Sequence, residues 1–415
     1  MWPYCVRGSR RPQPRSRRGR RGEHTSTRGA RTPARTAAVA PATPSHDRRH
    51  PALILVVLRD ISVGAQATSR EAAASSLRRM VAVGPIIAVA SMVAALAATA
   101  AAGIPLRDPD HVAGRRLAML LGLVLFLVAA DIVVRASRRA PGLVPSWRLV
   151  TRVRRERWTL RRGLIVGTTL VSFYASYFAY RNLKSVVPLL RPNELFDRQL
   201  ADWDRALFGG NDPAVLLHTL LGTGLATHAL SGAYLLLFVF IPVTLAAALV
   251  FSPNLQAGLF YASAQSLNWL LGAASYFLLP SLGPIYTDPG VFASLPVSDA
   301  SRLQELLLDQ RIDFLRDPAI GTAQSIAAFA SLHVSIFFTG ALAAHILGLG
   351  RRWQIVAWVL VALTTTSTIY LGWHYVVDDI GGVILAVMAV GLARALTGFD
   401  ARTPRRLSTA KPAPA

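Results

Sequence analysis

The sequence predicts an all-α, polytopic membrane helix bundle of about eight spans, the last six forming one core. Three observations predict it. Hydrophobic residues make up 52% of the chain and charged residues only 16%, against about 25% charged residues in soluble domains. The apolar residues fall into runs that can cross a bilayer as helices, which takes about 20 residues each. The arginines collect in particular segments between those runs.

Residues 1–50 hold thirteen arginines among frequent Pro, Ser, Thr and Gly, the composition of a disordered polybasic segment. The apolar patch 51–58 is too short to span and ends at Arg59-Asp60. Met80 stands just before the first long apolar run, so residues 1–79 read either as a tail touching anionic lipid or as an over-extended translation start. Spans are expected at 81–103, 117–135, 163–181, 228–251, 255–279, 326–348, 353–373 and 376–397. The last two adjoin in a tight hairpin whose turn carries His374. The expected organisation is a tail at 1–79, two accessory spans and a basic loop at 80–160, the six-helix core at 161–398 and a second tail at 399–415.

A net charge of +23 would suggest nucleic acid in a soluble protein. Here its placement argues for orientation in a membrane and against a nucleic-acid partner. Residues 136–162 carry nine arginines against one acid, Glu156, and the Arg351-Arg352 turn and the C-terminal tail are also basic. The positive-inside rule assigns these segments to the cytoplasm. The stretch 280–320 has three arginines against six acids and is expected outside. Eight spans threaded through these constraints put both termini in the cytoplasm. The sole cysteine, Cys5, leaves neither an intrachain disulfide nor a thiolate metal cluster.

Two outer loops are long enough to hold structure. In 182–227, Leu195, Phe196, Leu200, Trp203 and Leu207 recur at helical spacing with charges between them, which predicts an amphipathic helix along the membrane surface. In 280–320 a turn-rich run precedes ASRLQELLLDQRIDFL, a second interfacial helix. Either they select lipid and headgroup or they only cap the bundle. Asp131, near the inner end of the second span, is expected to reach water or an arginine.

Three short stretches offer residue types that phosphoryl transfer needs. Lys184 and Arg191, in KSVVPLLRP, supply a point charge and a fork-shaped donor for phosphate oxygens. They stand about 10 Å apart along a helix, and Pro188 between them kinks or ends it. His333, beside Ser331, is an ionisable group at the start of an apolar span and therefore a functional candidate. In STIYLGWHYVVD, Asp378 follows His374 by four residues, so the two share a helix face at about 5–6 Å between Cβ atoms. That carboxylate can fix the imidazole tautomer and support the cation formed on attack. Tyr370, Trp373 and Tyr375 read as interfacial belt residues. By the charge threading, all three stretches fall at the extracytoplasmic ends of their spans.

In this order and spacing the stretches resemble the signature of the type 2 phosphatidic acid phosphatase superfamily, Lys-x6-Arg-Pro, Pro-Ser-Gly-His and Ser-Arg-x5-His-x3-Asp. The first matches completely. The second matches at Ser331 and His333, with Ala330 and Leu332 in the other two places. The third matches at Ser367, His374 and Asp378, with Thr368 where the family has its second arginine. Ser-Leu-His, and His-Tyr-x-x-Asp without that arginine, look like the inositolphosphotransferase branch related to inositol phosphorylceramide synthases.

The resemblance, which covers about 160–397, implies a phosphatase-like six-helix core and a plasma-membrane enzyme with its active site outside. His374 would be the phosphorylated nucleophile, Asp378 its partner and His333 the acid and base. Lys184, Arg191, Ser331 and Ser367 would bind substrate, and Arg198 or Arg205 would take over from the missing arginine. It implies no metal and no cofactor, a phospholipid or polyprenyl-phosphate substrate, and water or an inositol-type alcohol as acceptor. Two other readings stand beside it. One is a lipid transporter or flippase, whose intramembrane ionisable residues would line a path. The other is a catalytically inactive scaffold of the same fold. The sequence does not specify an oligomeric state.

Overall fold

In the computed structural model the apolar runs become helices, and no strand occurs among the described residues, which are 50–108, 112–142, 144–252, 254–318 and 326–400. The arginine-rich segment 1–49 and the tail 401–415 lie outside them. The chain divides into two units, Met1–Val63 and Gly64–Ala415, and the second contains every span and motif.

The helices run in chain order as α1 (His50–Ala101), α2 (Leu117–Ser137), α3 (Trp147–Arg157), α4 (Leu160–Leu190), α5 (Asp197–Leu207), α6 (Pro213–Leu221) and α7 (Leu225–Leu235). They continue as α8 (Leu237–Val250), α9 (Leu255–Leu278), α10 (Pro284–Thr287), α11 (Asp299–Arg316), α12 (Leu332–Ile346), α13 (Arg351–Tyr370) and α14 (Val376–Thr397). Among the described residues six stretches are long and apolar enough to cross a membrane: Ala74–Ala101, Gly114–Ser137, Leu160–Leu190, Leu225–Val250, Arg351–Tyr370 and Val376–Thr397.

The two other expected spans are α9 and α12, and both differ from expectation for a physical reason. Helix α9 has 24 residues but buries Gln265, Ser266, Asn268 and Ser275 among its apolar positions. It packs against α4, α8, α12 and α14, so its polar groups meet protein and not lipid. Asn268 donates to Thr339 Oγ1 at 2.9 Å and accepts from Ser335 Oγ at 2.8 Å, joining α9 to α12. Helix α12 has only 15 residues. Residues 326–331, expected as its first turns, are not helical and run along α14, with Ser331 N donating to the Asp378 carbonyl at 2.9 Å.

Cations gather at the ends of several helices. Asp131 is buried and pairs with Arg135 at 2.7 Å and Arg157 at 2.6 Å. Arg157 and Arg162 reach the carbonyls that end α8, among them Val250 O at 2.9 Å and Leu249 O at 3.2 Å. Arg79 likewise donates to Ala395 O and Leu396 O at the end of α14. The carbonyl ends of helices thus receive cations, where the macrodipole favours them. The opposite ends of α4, α12, α13 and α14 collect the three motif segments.

The two long loops, 182–227 and 280–320, hold helices where the pattern predicts them, but their contacts go into the bundle. Leu200 of α5 is fully buried while Leu195, Trp203 and Leu207 are exposed. Helix α11 opens with a capping box between Ser298 and Ser301. Tyr370, Trp373 and Tyr375, expected in an interfacial belt, are buried instead. Tyr370 donates to Gly222 O at 2.7 Å, and Trp373 stacks on Tyr234 with centroids 4.7 Å apart.

Candidate active site

The hairpin between α13 and α14 is shaped by its own backbone. Gly372, at φ +72°, ends α13, and a Cβ there would lie 2.6 Å from the Phe292 ring. Trp373 N and His374 N then turn back to Thr368 O at 2.9 and 3.2 Å. Helix α14 starts two residues on, with Asp378 Oδ2 accepting from Tyr375 N at 3.0 Å. His374 Nδ1 lies 3.4 Å from that same carboxylate oxygen, and both residues are buried. The pair expected from the four-residue spacing is therefore in contact.

Two carboxylates on α5, seven residues apart and on one face, lock this hairpin. Asp204 accepts from Val376 N at 2.7 Å and Val377 N at 3.0 Å, capping the start of α14 from another helix. Asp197 accepts from Leu282 N at 3.0 Å, Gly283 N at 2.8 Å and Tyr375 Oη at 3.3 Å. Burial pushes both carboxyls up, against a smaller opposite pull from the backbone donors. Sequence reasoning counted these residues only as charges on an amphipathic helix. The Asp-x6-Asp spacing was the signal available.

His333 sits in the first turn of α12, whose N-terminus is capped by Ser331 Oγ accepting from Val334 N at 3.4 Å. Its ring stacks on Tyr234 at 4.2 Å between centroids, and Tyr234 in turn stacks on Trp373. This three-ring column holds His333 and His374 with centroids 6.1 Å apart. Glycine makes the approach possible, because a Cβ at Gly382 would collide with the Ser331 carbonyl oxygen. His333 Nε2 is buried with no hydrogen-bond partner among the described residues. Tyr234 was not legible as part of the site, since no sequence pattern links residues 234, 333 and 373.

Lys184 projects from α4 with Nζ over the Tyr276 ring at 4.9 Å and the Tyr180 ring at 5.9 Å. It lines the same cavity as His333 and His374, a space of about 710 Å³ that Arg181 and Arg116 also line. Burial first, and the Lys184 charge second, push the His374 imidazole down to about 3, against a smaller opposite pull from the Ala328 backbone. Both favour the neutral imidazole, which is the nucleophilic form. The remaining wall is apolar and aromatic, with Phe238, Ile241, Trp269, Leu303 and Leu307 among its residues.

The other expected site residues lie off the cavity wall. Arg191 caps the end of α4, pairs with Glu194 and donates to Phe277 O. Pro188 falls within the last turn of α4, which runs on to Leu190. Ser331 is spent on the α12 cap, and Ser367 Oγ donates to Thr364 O at 2.8 Å. Thr368 Oγ1 donates to Asp379 Oδ2 at 2.9 Å, a buried carboxylate beside Asp378. Arg198 and Arg205 are exposed, Arg205 pairing with Asp202 at 3.2 Å. Among the described residues no cluster of three or more His, Cys, Asp or Glu side chains is arranged to hold a metal ion.

Residues 198–392 match the sequence profile of the PAP2 superfamily. The match takes in α5, His333 and the whole hairpin, and it supports the superfamily and a membrane phosphatase-type enzyme. No curated protein and no solved structure matches the chain.

Proposed function

We propose that this chain is an integral-membrane lipid phosphatase or phosphotransferase of the inositolphosphotransferase type, working through a phosphohistidine at the extracytoplasmic face of the plasma membrane. The observation that carries this reading is the His374–Asp378 pair, 3.4 Å apart, facing an unpartnered His333 nitrogen across a cavity that Lys184 also lines. The apolar and aromatic remainder of that cavity suits the chain of a phospholipid or polyprenyl phosphate.

In the first step Asp378 holds the Nδ1 side of His374, and Nε2 attacks phosphorus. The N–P bond forms as the bond from phosphorus to the leaving oxygen breaks, and His333 gives its proton to that oxygen. The anionic phosphate between the two rings favours the protonated form of His333 that this step needs. In the second step neutral His333 takes a proton from water or from an inositol-type alcohol, whose oxygen attacks phosphorus and releases His374. Water yields a phosphatase and an alcohol a transferase. The carboxylate of Asp378 stabilises the cationic phosphoimidazole between the steps. Neither step calls on a metal or a nucleotide.

The test is turnover by purified protein, with a chelator present, on a panel of phospholipids and polyprenyl phosphates with and without an inositol-type acceptor. Release of phosphate or transfer to the alcohol, together with an acid-labile phosphoenzyme from labelled substrate, is the expected result. A pure, correctly inserted protein that neither turns over nor forms a phosphoenzyme on any of them would overturn the reading.

A further inference from the structure

In the superfamily signature quoted above, two arginines accompany the lysine. This chain has only one of them in sequence, Arg191, and that residue is engaged by Glu194 and the Phe277 carbonyl at the end of α4, off the cavity wall. The position of the second is Thr368, whose hydroxyl is directed at Asp379. Arg198 and Arg205 are exposed to solvent. None of these four side chains lines the cavity that holds the histidines.

Arg181 does line it. It precedes Lys184 by three residues on α4, about 4.5 Å along the axis and on the same helix face. Lys184 lines that cavity beside both histidines. Arg116, the third cation on the wall, donates to Tyr177 Oη at 3.2 Å. Tyr177 is seven residues below Lys184, about 10 Å along α4, so Arg116 belongs to the part of the cavity farther from the histidines.

We infer that Arg181 is the guanidinium that holds the transferring phosphate in this chain, acting with Lys184 where the family signature uses the arginines of its first and third motifs. A planar fork can take two non-bridging oxygens while the ammonium takes the third. The pair then neutralises the charge that gathers on those oxygens during transfer. This inference rests on the phosphotransfer reading, but it concerns which residue binds the anion and can fail on its own.

The experiment uses the full chain with Cys5 replaced by Ser, reading orthovanadate affinity and kcat/KM. Arg181→Cys is expected to lose roughly 10²-fold in both, the scale of losing one preorganised charge-stabilising donor. Treatment with a thiosulfonate that adds an ethylammonium group is expected to restore a large part, and one that adds an ethylsulfonate to restore nothing. Arg181→Lys carries the same test should the cysteine variant fold poorly, with an expected loss between the two. Arg198→Ala is expected to match the parent. Parent-like vanadate binding and turnover in the Arg181 variants, or equal effects of the two reagents, would overturn the assignment while leaving the function standing. A parent protein that neither binds vanadate nor turns over would overturn the phosphotransfer reading itself, and this assignment with it.

Discussion

Asp204 on the short helix α5 accepts the first backbone N–H of α14, from Val376, at 2.7 Å, although 172 residues separate the two. A cap is usually supplied by the residue preceding the helix. Here it comes from a separate element, so the order of the α13–α14 hairpin depends on α5 being docked.

That dependence is testable by Asp204→Ala, which removes acceptors for two partly buried N–H groups. A loss of about 0.5–2 kcal/mol is expected from the cap alone. A lower thermal midpoint and a lower kcat should appear together, and Asp204→Asn, itself a good cap, should recover part of both. Unchanged melting in the alanine variant would show that the cap does not support the hairpin.

The two histidines should separate by leaving group. His374→Ala is expected to abolish turnover and the acid-labile phosphoenzyme. His333→Ala should slow a poor alkoxide leaving group by about 10²–10⁴, the range of general acid catalysis, while a nitrophenolate suffers much less. Equal losses on good and poor leaving groups would remove His333 from the acid role.

Asp378→Asn should insert and fold, because an amide oxygen can still accept from Tyr375 N. It should lose rate by about 10² or more, towards the ~10⁴ known for comparable triads, through the wrong tautomer and an unsupported imidazolium. Single-turnover measurement of phosphoenzyme formation checks this directly.

Gly382→Ala should be damaging despite its small size. The added methyl meets the Ser331 backbone oxygen, and overpacking of this kind costs about 1–3 kcal/mol. It would push α12 and His333 away from the hairpin. Activity is expected to fall further than in an alanine placed at Gly391, where a Cβ meets nothing within 4 Å.

Orientation can be read with single cysteines in a Cys5-free background. Ser146, in the arginine-rich loop, and Ser301, in α11, should label from opposite sides of the membrane, Ser301 from outside. Labelling of both from one side would reverse or break the threading.

The sequence by itself determined the helical membrane architecture and the closeness of His374 to Asp378. These depend on local quantities, run length and a four-residue spacing, although His374 meets Asp378 from the turn before α14 and not from the helix face that the spacing suggests. Only the tertiary structure decided that Arg181 and not Arg191 lines the cavity, and that Thr368 is turned towards Asp379. It also decided that Tyr234 carries His333, that Asp204 caps α14, and that α9 runs polar and buried through the middle of the bundle. Most of these are settled by partners scores of residues away, and the Thr368–Asp379 bond by the turn between α13 and α14. Hydropathy and spacing record what a side chain is, while the direction it faces is set by which helices pack around it.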